Sequence, residues 1–120
     1  MTIREVYEAI GANYQDAMER LPGEAFVTRF ALKFLKDDSF PNLKTALAEG
    51  NAEDAFRAAH TLKGVCQNLG FENLYVPAAA LTEALRDRTF DGTEELVPPV
   101  EAEYQKTVEA LKKFEAAQNA

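Results

Sequence analysis

Apolar residues recur along this chain at intervals of three and four, and they nowhere sustain the alternation of a half-buried strand. Period-two runs of Val, Ile and Thr are missing while Ala, Leu, Glu and Lys dominate, so the pattern predicts an all-α fold. Ile3, Val6, Tyr7, Ile10 and Tyr14 mark a first helix, capped by Thr2 and expected to run through Gly11 to about Leu21. Pro22-Gly23 breaks it. Phe26, Val27, Phe30, Phe34 and Leu35 outline a second helix from about Glu24 to Lys36, ending near Asp37-Asp38. Ser39 as a cap and Pro41 near the first turn open a short third helix that carries Leu43, Ala46 and Leu47 to Gly50.

Asn51 can cap a fourth helix over about Ala52 to Leu69, with Gly70 just past its end as the residue that tolerates positive φ. A fifth helix, from about Asn73 to Arg88, turns Leu74, Ala78, Leu81 and Leu85 inward and requires Pro77 to lie in or near its first turn. Asp91-Gly92-Thr93 marks another turn. Leu96, Val100, Tyr104, Val108, Leu111 and Phe114 then carry a last helix, kinked or delayed by Pro98-Pro99 and fraying at Gln118-Asn119-Ala120. Helices of this length joined by short turns pack antiparallel. The expected architecture is a four-helix bundle with additional N-terminal helices, folded as one domain over residues 1–120.

Charge narrows the list of partners. Twenty acidic residues against 13 basic ones give a net charge of −7, the wrong sign for a nucleic-acid backbone or an anionic lipid surface. No segment approaches the roughly 18 uninterrupted apolar residues of a membrane span, and the first residues lack the apolar run of a secretion signal. A cytoplasmic protein with protein or small-ligand partners is expected. Cys66 is the only cysteine, so neither an intramolecular disulfide nor a cysteine-based metal cluster can form.

On the fourth helix, Ala55, Ala59, Leu62, Cys66 and Leu69 fall within roughly 80° of one another and define the buried face. His60, the single histidine, lies about 140° from the centre of that face and is therefore displayed. Arg57, Lys63, Gly64 and Gln67 share its side of the helix. Gly64 is unusual, because glycine inside a helix costs about 1 kcal/mol relative to alanine. One turn beyond His60 it leaves a bare patch where another protein could approach the imidazole. Lys63 places positive charge beside that ring, suited to offsetting a phosphoryl group. The residues by themselves leave plainer readings open: His60 and Lys63 as ordinary surface residues, and Gly64 as a site of close helix packing. Cys66 faces inward and reads as a small buried hydrophobe without a redox role.

The segment Ala59-His60-Thr61-Leu62-Lys63-Gly64, with Leu69-Gly70 after it, resembles the signature of histidine-containing phosphotransfer (HPt) domains of multistep phosphorelays. The resemblance implies that His60 is the phosphoacceptor, that Lys63 assists electrostatically and that Gly64 gives access to a docking receiver domain. It makes Gln67 a contact to the phosphoryl group or the partner; Arg57, on the His60 side of the helix, and Phe56 are further candidate binding residues. It implies a monomeric phosphoryl carrier that serves receiver domains of response regulators or hybrid histidine kinases, has no cofactor of its own and relies on Mg²⁺ held by the receiver. Val65 and Cys66 depart from the small residues frequent after Lys-Gly in that family, which bears on partner choice. No ATP-binding or kinase motif accompanies the signature.

Two other classes are compatible with a helical bundle. An adaptor would bind signalling proteins through Phe56, Lys63 and Gly64, or through its acidic surface, without being phosphorylated. A hydrolytic or metal-dependent enzyme would need a ligand pair such as His-x-x-x-His, which the chain lacks, and Asp87, Asp91, Glu94 and Glu95 read as solvated turn charges.

Overall fold

A computed structural model describes residues 1–119, which form seven α-helices and no strand. Helix α1 (Ile3–Ile10) opens on a reciprocal capping box: the Glu5 N–H donates to Thr2 Oγ1 at 3.1 Å, and the Thr2 N–H donates to Glu5 Oε1 at 2.8 Å. The predicted continuation to Leu21 does not occur. Gly11 takes a left-handed φ of 79° and closes α1, and Asn13 caps a separate helix, α2 (Tyr14–Arg20), by accepting from the Asp16 N–H. The Asn13 N–H donates to the Gly70 carbonyl at 2.7 Å, so the break lets α2 dock on the far end of the histidine helix.

Helix α3 (Glu24–Lys33) tightens into a 3₁₀ turn over Phe34–Lys36, as the expected end near Asp37 requires. Ser39 is not the cap of α4 (Ser39–Glu49). It is the first helical residue and is buried, its N–H satisfied by Asp37 Oδ2 at 2.9 Å. Gly50 and Asn51 make the tight turn into α5 (Ala52–Leu69), whose bounds match the sequence reading, and the Asp54 N–H donates to Asn51 Oδ1 at 3.0 Å.

Helix α6 (Glu72–Ala84) differs at both ends from its prediction. It starts one residue earlier, which leaves Pro77 inside the helix and past its first turn, and it unwinds at Leu85 instead of reaching Arg88. Burial explains the tolerance for proline: Leu74, Ala78, Leu81 and Thr82 are buried in the bundle, where packing outweighs one missing hydrogen bond. Pro98 and Pro99 sit in the first turn of α7 (Val97–Gln118), where no donor is needed, and so set its start without kinking it. The helix persists through Gln118; Ala120, the last residue of the expected fraying tail, lies outside the described residues.

Helices α4 to α7 form the bundle, each packed on the next in chain order. Phe40 stacks on Tyr104 at 4.0 Å and Lys44 pairs with Glu101 at 3.3 Å, joining α4 to α7. Helix α1 lies against α7, and the buried Tyr7 hydroxyl donates to the Leu69 carbonyl at 2.6 Å. One buried apolar cluster extends from Ile3 to Phe114. Among the described residues, no helix is long and apolar enough to cross a membrane.

Candidate functional site

The buried stripe of α5 consists of Ala55, Ala58, Ala59, Leu62, Cys66 and Leu69, and His60 stands exposed on the opposite side. Cys66 is fully enclosed, and burial pushes its thiol pKa far up, consistent with a packing role. Arg57 and Gln67 are exposed as expected, while Lys63, Gly64 and Phe56 are half-buried along the same ridge. A Cβ placed on Gly64 would meet no heavy atom within 4 Å. No neighbouring helix exploits the missing side chain, so the close-packing reading of this glycine is removed.

Side chains in a helix lean towards its N-terminus, which tilts the His60 ring over the preceding turn. There it meets Phe56, with ring centroids 5.9 Å apart and planes inclined at 39°. Arg57 reaches away from His60 to Glu53 at 3.1 Å and Asp54 at 3.6 Å. Lys63 lies on the side of α5 that faces α6, close enough to Glu83 for its charge to bear on that carboxylate.

Two arginines that sequence spacing did not assign to the site are brought to it by the unwound end of α6. The Arg88 guanidinium carbon lies 4.0 Å from the centroid of Phe56 and that of Arg86 lies 5.5 Å from it. Each such contact is worth about 0.5–1 kcal/mol at an exposed position. Arg88 also donates through Nε to Glu53 Oε2 at 2.8 Å and through Nη1 to the Arg86 carbonyl. Hydrogen bonding and charge from Arg88, then from Arg57, hold the Glu53 carboxyl below the usual carboxylate range. Arg86 does the same for Glu83, with a smaller effect from Lys63. In the sequence these arginines were only the end of a helix; two cations within three residues of an acidic chain were a weak sign, and nothing in their spacing said where they would land.

The surface around His60 is thus rimmed by ion pairs, with Arg57, Arg86 and Arg88 set against Glu53, Asp54 and Glu83, and is aromatic on one flank and open on the other. Among the described residues, no side chain hydrogen-bonds the imidazole, and no three His, Cys, Asp or Glu side chains converge as a metal-binding set. Gln67, seven residues on, lines a cleft of about 220 Å³ between α2 and the α5–α6 corner, together with Asn13, Asp16 and Tyr75.

The family model of the Hpt domain matches residues 37–114, and the chain belongs to that family. Membership implies histidine phosphotransfer in a two-component phosphorelay and interaction with receiver domains; Hpt domains carry phosphoryl groups and have no kinase activity of their own. No curated protein and no solved structure matches the chain.

Proposed function

We propose that this chain is a phosphorelay carrier in which His60 accepts a phosphoryl group from the aspartate of one receiver domain and passes it to another. The observation that carries this reading is the open space over Gly64 beside an exposed imidazole. A helix-interior glycine is unfavourable, and here no intramolecular contact offsets its cost. An approaching partner does, because the bare turn admits a loop of a second protein to within reach of the ring.

In the forward step the Nε2 lone pair of neutral His60 forms the N–P bond as the aspartyl P–O bond breaks in line. The aspartate leaves as a carboxylate, and the ring proton remains on Nδ1 or passes to water. The reverse sequence loads the next receiver. This chain's part is to present the nucleophile and to supply Lys63, three residues from it on the same helix, as the cation that offsets the incoming negative charge. Mg²⁺ belongs to the receiver in this scheme, and the carrier acts as a cytoplasmic monomer with residues 1–120 folded as one domain.

Incubation with a phosphorylated receiver tests the assignment. Wild-type chain should gain label and His60→Gln should gain none; equal labelling of the two would sink the role of His60. Intact mass after exposure to phosphodonors separates the carrier from an adaptor, which would bind receivers without ever gaining a phosphoryl mass.

A further inference from the structure

The imidazole of His60 has two unlike flanks. Towards the N-terminus of α5, Phe56 stands one turn away with its ring tilted against the histidine at 5.9 Å. Towards the C-terminus, Gly64 leaves open space. An imidazole hinged at its Cβ, with no side-chain hydrogen bond among the described residues to fix it, takes its orientation from what packs beside it, and Phe56 is the ring in contact with it.

That surface is itself held. Phe56 is half-buried, and its ring is covered by the guanidinium of Arg88 at 4.0 Å and approached by that of Arg86 at 5.5 Å. Arg88 is fixed by Glu53 at 2.8 Å, by the Arg86 carbonyl and by the aromatic face. The Glu53 carboxylate is held in turn by Arg57, at 3.1 Å through its other oxygen. Arg88 is also the single non-glycine residue with positive φ, 60°, among the described residues. A side-chain-bearing residue keeps that conformation only where its surroundings over-determine it, and such positions gather at working sites. The loop after α6 is therefore bent so as to deliver this guanidinium to the aromatic ring.

We propose that Phe56, clamped by Arg88, is a positioning residue: a backstop that keeps the His60 ring turned towards the open patch over Gly64, from which the receiver's phosphoryl group arrives. This rests on His60 being the phosphoacceptor. Phe56 touches no reacting atom in this scheme. It acts by reducing the number of orientations the nucleophile samples, so its loss slows the transfer step itself and leaves docking of the receiver largely intact.

The test uses the full chain and a receiver domain that labels it, chosen by pairwise transfer against the host's receivers. Rates are measured as a function of phosphorylated receiver concentration. Phe56→Leu should lower the saturating rate about tenfold while the half-saturating concentration stays within about twofold, and Phe56→Tyr should restore the rate. Arg88→Gln, at a solvent-exposed side chain outside the buried core, should lower it about threefold, with a thermal melt run alongside to show that the variant is folded. In both slowed variants the His60 ring-proton resonances should move and its χ1 couplings should average. Wild-type saturating rates in Phe56→Leu and Arg88→Gln overturn the proposal. So does a loss confined to the half-saturating concentration, which would make the patch a docking contact. If Phe56→Leu does not fold, Arg88→Gln decides. His60→Gln is run alongside: label on that variant defeats the phosphoacceptor assignment itself, whereas an unlabelled His60→Gln with unaffected Phe56 and Arg88 variants defeats the backstop alone.

Discussion

Two glycines six residues apart at the end of α5 answer to opposite demands. At Gly64 an added Cβ enters open space within regular helix, whereas at Gly70 it would lie 2.5 Å from the Asn13 carbonyl oxygen on a backbone with φ of 71°. The same substitution should therefore have opposite signs. Gly64→Ala is expected to raise the unfolding free energy by about 0.5–1 kcal/mol, because alanine suits a helix interior, yet to slow transfer from a receiver. Gly70→Ala is expected to lower stability by about 2 kcal/mol or more, through left-handed strain and the clash with α2. Urea denaturation of both variants, with a transfer assay on the first, checks the pair; a Gly64→Ala variant that transfers at the wild-type rate would leave that glycine without a functional explanation. The chemistry-bearing residues His60, Lys63 and Gly64 were legible in the sequence because all three sit within five residues of one helix, where a 3.6-residue period fixes their mutual placement. Phe56 was legible as a neighbour, but its partners Arg86 and Arg88 were not, since they come from a different element.

At the scale of elements, prediction from the chain succeeded where capping chemistry and periodicity agreed. Helix α5 has Asn51 before it, Gly70 after it and an uninterrupted apolar stripe between, and its ends fall where those signals put them. Replacing the cap, Asn51→Ala, should cost about 1 kcal/mol, because the Asp54 N–H loses its acceptor. Comparison of denaturation midpoints at unchanged m-value measures it, and an undiminished midpoint would show that water or another group replaces the cap. Prediction failed where local signals conflicted. Tyr14 continued the apolar spacing across Gly11, but the Asn13–Gly70 contact between distant segments decided for a break. Pro77 argued for a later start to α6, but the surrounding bundle holds the helix on both sides of it.

Across the whole molecule, the family match begins at residue 37, while the core begins at Ile3. Ile3, Val6, Tyr7 and Ile10 of α1 are at most 2% exposed and belong to the same cluster as Leu111 and Phe114. Burying each such side chain contributes roughly 1.5–3 kcal/mol, comparable in sum with the entire stability of a small domain. Deleting residues 1–36 should accordingly abolish a cooperative thermal transition followed by far-ultraviolet circular dichroism. A shortened chain that still melts cooperatively would show that the family-matched segment suffices by itself.

Helical content, the buried face of α5 and the exposure of His60 were determined by the sequence alone, because spacing along one regular helix is a local property that a few residues specify. The family signature was equally local. The split of the first helix, the place of Pro77 and the arginine clamp on Phe56 were decided by tertiary structure. Each depends on groups far apart in the chain: Asn13 against Gly70, α6 within its bundle, Arg88 across to Glu53. Periodicity carries no information about such meetings, since they are set by how whole helices pack and by where a loop is bent between them.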